Sequence, residues 1–108
     1  MAPPDDEAPT PSANGFDKLI HEPARLLLMA RLFVVDAADF TFLAQATGLT
    51  GGNLSSHMTR LESAGYIEVE KSFVDRRPKT LLRLTPEGRE AFRRYRDGLR
   101  AVLDTLPE

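Results

Sequence analysis

The chain has 108 residues, 42% hydrophobic and 28% charged, which is enough for one soluble domain with one modest core. It has no cysteine and only two histidines, which excludes disulfides and thiolate metal sites and argues against a bound metal. The net charge of −2 does not by itself favour or exclude a nucleic-acid partner. No apolar run approaches the ~20 residues that span a bilayer, and the N-terminus lacks the pattern of a signal peptide, so a cytoplasmic location is expected.

Residues 1–14 contain four prolines, three acids and no Lys or Arg. Such a segment buries too little apolar surface to offset its ordering entropy, so we predict a disordered, solvated tail. A partner-recruiting arm is the alternative. Residues 15–108 then hold 14 basic and 13 acidic side chains, and only a local basic patch within them could support nucleic-acid binding.

The ordered domain is predicted to begin with helical segments. The apolar residues between Phe16 and Ile20 have helical spacing, and Pro23 suits the first turn of a longer helix over 23–35. Apolar side chains cover much of the circumference of that helix. We therefore expect it to be buried both in the core and against a second subunit, with Leu28 in the contact.

Two short helices follow. Asp39 or Thr41 can cap the first, and Gly48 supplies its C-terminal stop. Thr50 is a natural N-cap for the second, over about 51–64. A helix, a tight turn that contains glycine and a second helix form the helix-turn-helix layout.

After this pair the apolar period changes from 3.6 to 2, which predicts strands over 66–72 and 80–84 joined by a loop. Thr85, Pro86 and Glu87 then mark the start of a final helix over about 86–105. The predicted fold is mainly α with a small two-stranded β wing, in the order α-α-α-β-β-α. This is a winged helix-turn-helix.

The second helix of the pair has two different faces. Leu54, Met58 and Leu61 share one side and should pack inward, whereas the opposite side is small, polar and nearly free of acids. Solvated helix faces more often carry Glu and Lys, and small polar groups allow close approach to bases and phosphates in a major groove. The predicted DNA contacts of this helix are Thr50, Gly52, Asn53, Ser55, Ser56, His57, Thr59 and Arg60.

His57 lies between the two faces, and two roles suit it equally. It can reach a phosphate, or it can pack against the turn and bond a backbone carbonyl. Neighbouring Ser55 and Ser56 have no acid placed to orient the imidazole, so a catalytic triad is not indicated. The chain also lacks a nucleotide loop and a metal-ligand set, and we predict no catalytic residues and no cofactor.

The predicted wing, 73–80, carries the cations that the helix lacks. Arg76, Arg77 and Lys79 cluster where side chains can reach a minor groove or its phosphates. Asp75 could cap the turn or hold Arg77 in position. A solvated basic loop is the alternative, and the adjacent polar helix favours DNA contact instead.

The final helix carries an apolar stripe with steps of 3, 4, 3 and 4 residues, which resembles a heptad seam. It can pack on the chain's own core, but a chain this small has little core left to offer, so we predict a homodimer. The predicted dimer contacts are Leu28, Phe92, Tyr95, Leu99, Val102, Leu103 and Leu106.

From His21 to Leu106 the sequence resembles compact winged-helix transcriptional regulators related to the MarR family. The matching stretches are His21–Leu26, Leu54–Met58, Leu61–Ile67, Arg76–Thr80 and Leu84–Arg89. The resemblance implies a homodimer whose terminal helices pair and which presents two recognition helices to a pseudo-palindromic operator. We expect this dimer to occupy double-stranded promoter DNA and to act as a repressor, with assistance of transcription as the alternative.

The flanking helices are shorter than is usual in that family, so the resemblance does not identify a small-molecule effector. The alternative function is a winged-helix module for protein contacts without DNA binding. The basic wing and the acid-poor helix face argue against that alternative.

Overall fold

The computed structural model describes residues 15–108, and the tail predicted over 1–14 lies outside the described residues. Within 15–108, four helices and a small antiparallel sheet form the winged helix-turn-helix that the sequence predicts. The elements in chain order are α1 (Pro23–Phe33), β1 (Ala38–Asp39), α2 (Phe40–Thr47), α3 (Gly51–Ser63), β2 (Ile67–Val74), β3 (Arg77–Leu84) and α4 (Pro86–Leu103).

The helix starts are set by local capping. The Asp39 carboxylate accepts hydrogen bonds from the backbone N–H groups of Thr41 and Phe42, which decides between the two predicted caps of α2. Thr50 and Thr85 cap α3 and α4 through their hydroxyl groups, as predicted. Each cap satisfies an N–H group that the first turn leaves without a helical partner.

Local hydrogen bonding and backbone geometry also explain one helix end and one stretch that is not helical. Gly48 ends α2 in the left-handed conformation, with φ of 74°. The prediction of a helical segment between Phe16 and Ile20 is wrong, because this stretch forms turns. The Asp17 carboxylate accepts hydrogen bonds from the N–H groups of Leu19 and Ile20 and so offers the backbone an alternative to a helix.

The sheet has three strands in the order β1-β3-β2, whereas the sequence predicts two. The extra strand, β1, is two residues long and pairs with β3 through Ala38 and Leu82. Two residues are too few to produce an alternating pattern, so no sequence signal marks this strand.

The two wing strands are longer than predicted. Pairing continues from Ile67 with Leu84 to Val74 with Arg77, so the expected loop is reduced to a two-residue turn. Asp75 and Arg76 form this turn with φ of 52° and 65°. Positive φ at both central positions suits the twist of a tight hairpin. Aspartate is common at the first of these positions, whereas glycine usually occupies the second, where this chain has Arg76.

The core lies where α1, α3 and α4 pack against the base of the sheet. Its largest fully buried side chains are Ile20, Leu28, Met29, Leu32, Leu43, Leu54, Leu61 and Leu82. No helix within 15–108 has the length and hydropathy needed to cross a membrane.

The buried part of the predicted dimer seam requires a correction. Leu28, Phe92 and Tyr95 belong to the core of a single chain and have almost no surface left for a second copy. The aromatic rings of Phe92 and Tyr95 pack against Phe33 and Phe16, respectively. Only the far end of the stripe, from Leu99 onward, remains at the surface, and α4 ends at Leu103, so Leu106 follows the helix.

Candidate nucleic-acid interface

The two faces of α3 separate as predicted. Leu54, Met58 and Leu61 are buried in the core and anchor the helix against the domain. The opposite side is exposed and includes Gly52, Asn53, Ser55, Ser56, Thr59 and Arg60, with Thr50 exposed at the cap. The first turn contains no acid. The structure therefore brings these candidates together on one surface, with His57 at its half-buried margin.

The N-terminus of α3 is open to an external partner. The Thr50 hydroxyl accepts the N–H of Asn53 at 3.1 Å. The N–H groups of Gly51 and Gly52 have no partner in the helix, because the first turn of any helix leaves such donors unused. A β-carbon on Gly52 would meet no atom of residues 15–108 within 4 Å, so packing among these residues does not require a glycine there.

The wing presents its basic residues at and next to the turn. Arg76 occupies the turn, and Arg77 and Lys79 follow on the same face of β3, because alternate residues of a strand share a face. No ion pair joins Asp75 to Arg77 within the described chain, so the predicted role of Asp75 in holding Arg77 is wrong. Asp75 instead forms the first half of the turn.

Phe73 and Val74, next to the turn, are candidates that the sequence interpretation placed in a loop without a role. The Phe73 side chain is 76% exposed and pairs across the hairpin with Pro78. The signal that could have found them is two consecutive apolar residues beside an Arg-rich turn, where solvated loops are usually polar.

Ion pairing distinguishes this surface from the rest of the domain. Within 15–108, the arginines of β3 and α4 that form ion pairs are Arg83, Arg93, Arg94 and Arg96. None of the ion pairs in this region involves Arg60, Arg76, Arg77 or Lys79. The cations of α3 and the wing are therefore available for phosphates, and binding through them would depend on salt.

A polar cluster supports α3 from behind. Arg25 on α1 is buried, and its Nη1 donates a hydrogen bond to Nδ1 of His57 at 3.0 Å. Its Nε donates to the carbonyl oxygen of Leu19. The predicted alternative in which His57 bonds a backbone carbonyl is wrong, because the partner of its Nδ1 is a guanidinium. Sequence reasoning missed Arg25, although an arginine within an apolar helix is a signal of a buried polar contact.

Glu22 completes the cluster and caps α1. Its carboxylate accepts the backbone N–H of Arg25 at 2.9 Å and lies 3.9 Å from the guanidinium of the same residue. Burial, the largest single influence, raises the pKa of Glu22. Hydrogen bonds from the backbone of Arg25 and Ala24, together with the positive charge of Arg25, outweigh burial and lower the pKa overall.

Metal-ligand chemistry is not represented at this surface. Among residues 15–108, no group of three His, Asp or Glu side chains is placed to hold a metal ion. The surface offers hydroxyl, amide and cationic groups instead, which suit phosphates and base edges.

The chain matches known proteins over most of its length. The winged helix DNA-binding domain family matches residues 24–103. An uncharacterized protein of Methanocaldococcus jannaschii is 35% identical over 78 residues, which are 72% of this chain and 85% of that protein.

Solved structures extend the comparison. A transcriptional regulator homologue from Pyrococcus horikoshii is 34% identical in sequence and matches with a TM-score of 0.78. The match covers 83% of this chain and 89% of the Pyrococcus chain. AbsC, a MarR family transcriptional regulator from Streptomyces coelicolor, is 28% identical with a TM-score of 0.59, covering 74% of this chain and 58% of its own. Because the family match includes the helix-turn-helix and the wing, the chain belongs to the winged-helix DNA-binding domain family, and its fold is similar to that of MarR family transcriptional regulators.

Proposed function

We propose that this protein is a homodimeric repressor that binds a specific double-stranded operator. In this proposal α3 enters the major groove and the wing, 73–80, lies against the minor groove or the backbone. The observation that supports it most is the exposed face of α3, because 50–60 contains no acid and its small side chains let the helix approach DNA closely.

The two elements contribute differently to binding. Residues 50–60 include one cation, Arg60, whereas the wing carries Arg76, Arg77 and Lys79. The polar groups of α3 therefore read bases, and the wing supplies most of the electrostatic attraction. If these four cations in two copies neutralise about 8 phosphates, the log–log dependence of affinity on salt has a slope of about −7.

The dimer contact is proposed for the end of α4. Leu103 and Leu106 are 56% and 61% exposed, and Leu99 and Val102 are half-buried. Together they form an apolar surface at the C-terminus of the described chain, which pairing with a second copy would bury. A two-fold dimer would place two α3 helices about 34 Å apart, one turn of DNA, and so match a pseudo-palindrome.

The test is selection of bound fragments from random DNA, followed by fluorescence anisotropy titration of the selected site at several salt concentrations. We expect a symmetric site and a slope near −7. The double variant Arg76→Ala and Arg77→Ala should weaken binding to all sequences and flatten the slope. Arg94→Ala, which removes an exposed α4 arginine paired with Glu90, is the matched control. Binding without salt dependence would contradict the proposal.

Phe73 is the observation that favours the second candidate, a winged-helix module for protein contacts. A phenyl ring that is 76% exposed beside a hairpin turn is a common anchor in protein interfaces. On this alternative, the wing binds a protein partner in a salt-insensitive way and no DNA is selected. Phe73→Ala would then abolish partner binding, whereas on the DNA proposal it leaves the salt slope unchanged.

A further inference from the structure

The hydrogen bond between α1 and α3 determines which nitrogen of His57 carries the proton. A guanidinium has only N–H donors and no acceptor. Nδ1 of His57, 3.0 Å from Nη1 of Arg25, must therefore use its lone pair to accept this bond. In a neutral imidazole the remaining nitrogen, Nε2, then carries the hydrogen.

Within 15–108, no other group competes with Arg25 for Nδ1 of His57. The carboxylate of Glu22 is 3.7 Å from it, which is longer than a hydrogen bond. Glu22 is instead engaged by the backbone N–H of Arg25 at 2.9 Å. Arg25 has little freedom to move, because it is only 8% exposed and its Nε donates a hydrogen bond to the carbonyl oxygen of Leu19.

The Nε2–H group of His57 is open to an outside acceptor. Every buried side-chain nitrogen and oxygen of the described residues has a hydrogen-bonding partner. The hydrogen bonds within 15–108 include none at Nε2 of His57, so this atom keeps contact with solvent. The side chain as a whole is 20% exposed. The ring is thus held from behind and offers one donor at the surface.

We propose that Arg25 is a positioning residue that holds His57 as the Nε2–H tautomer, so that this hydrogen is donated to a DNA phosphate. The inference rests on the proposed function of α3. His57 lies one helical turn from both Asn53 and Arg60. Its Nε2–H group therefore borders the exposed polar face of α3 that is proposed to contact bases. Because His57 is half-buried at the edge of that face, we expect it to contact the DNA backbone rather than the base edges in the major groove. A phosphate oxygen is an acceptor, as an N–H group requires.

The tautomer can be measured directly on the full chain without DNA. Nitrogen-15 NMR of the imidazole rings, at a pH at which they are neutral, should show a protonated Nε2 and an unprotonated Nδ1 for His57. The variant His21→Gln identifies the signals, because the chain has only two histidines. A protonated Nδ1 in His57 would overturn the proposal.

Two substitutions separate the nitrogens in DNA binding. The amide nitrogen of Gln can take the place of Nε2, whereas that of Asn reaches only to the position of Nδ1. His57→Gln should bind DNA nearly as well as the wild type. His57→Asn should lose about tenfold in affinity for each subunit bound, because one hydrogen bond is lost per subunit. Equal affinity of both variants and the wild type would overturn the phosphate contact and leave the proposed function standing. Failure of the wild-type protein to bind any DNA would overturn both.

The role of Arg25 is tested by Arg25→Met and Arg25→Lys, with thermal unfolding of each variant measured in parallel. Arg25→Met removes the donor and should release His57 into a mixture of tautomers and weaken DNA binding. Arg25→Lys retains an N–H donor and should restore the Nε2–H signal and part of the affinity. A pure Nε2–H signal in Arg25→Met would overturn the positioning role. If Arg25→Met does not fold, the NMR spectrum of Arg25→Lys tests the positioning role instead. A folded Arg25→Lys chain in which His57 is no longer mainly the Nε2–H tautomer would contradict that role.

Discussion

The carbonyl oxygen of Tyr66 lies 2.0 Å from the position that a β-carbon on Gly88 would occupy. The same carbonyl accepts the N–H of Thr85 at 3.0 Å, and the Thr85 hydroxyl donates to the carbonyl of Gly65 at 2.6 Å. The first turn of α4 is therefore packed directly on the backbone that connects α3 to the wing. This contact fixes the base of the wing relative to α3.

Gly88→Ala should destabilise the protein by about 1–3 kcal/mol, because backbone atoms must move to admit the methyl group. Gly98→Ala, in the same helix, is the control. A β-carbon there would lie 3.7 Å from Cε1 of Phe16, an ordinary contact, so alanine should add up to about 1 kcal/mol through helix propensity. Denaturant unfolding measures the free energy of unfolding of both variants. Equal values for Gly88→Ala and Gly98→Ala would contradict the close approach of Gly88 to the Tyr66 backbone.

Gly52→Ala should separate stability from DNA binding. The β-carbon enters open space, so the free energy of unfolding should rise by about 0.5–1 kcal/mol. If DNA approaches the backbone at this position, the methyl group should reduce affinity. Ser63→Ala, on an exposed position near the end of α3, is the control and should leave DNA binding unchanged. An unchanged affinity in Gly52→Ala would show that DNA does not approach there.

Arg76→Gly should weaken DNA binding without a loss of stability. The left-handed backbone of Arg76 costs about 1–2 kcal/mol for a residue with a side chain, and glycine removes this cost. Arg76→Ala removes the same charge but keeps the strained backbone. The two variants should therefore bind DNA equally weakly, while the glycine variant has the higher melting temperature. Tight DNA binding by either variant would argue against a role for this side chain.

Tyr66 should contribute stability that is lost at high pH. Its hydrogen bond to the Asp17 carboxylate, with burial, raises the pKa of Tyr66 to about 12. Because the unfolded value is about 10, the contribution is complete below pH 10 and disappears as the pH rises to 12. Absorbance titration of the phenolate and unfolding at several pH values measure it. The loss of stability between pH 10 and pH 12 should be larger in Tyr95→Phe than in Tyr66→Phe. A larger loss in Tyr66→Phe would contradict the assignment of this effect to Tyr66.

Leu103→Glu should convert a dimer to a monomer. The side chain is 56% exposed in one chain, so a charge there costs little unless a second copy covers it. Analytical ultracentrifugation should show a lower mass, and DNA affinity should fall because only one half-site is bound. Lys71→Glu, at an exposed position on the wing strand β2, is a charge control for the change in mass. A wild-type protein that is already monomeric would contradict the dimer contact.

Short-range features were predictable from the sequence. Thr50, Gly48 and Thr85 mark helix ends because capping depends on residues one to four positions away. The inner face of α3 was equally clear, since helical periodicity places Leu54, Met58 and Leu61 together. These signals are local, and they predicted the helix-turn-helix, the wing and the polar face of α3.

The tertiary structure decided the features that join distant parts of the chain. The strand β1 exists only because β3 pairs with it, and the two-residue turn follows from a register that extends to Val74 and Arg77. Whether Phe92 and Tyr95 face a second copy or their own core depended on how much surface the other helices cover. The bond between Arg25 and His57 links residues 32 positions apart. Periodicity reports which face of a helix is buried but not what buries it, because that depends on packing between elements.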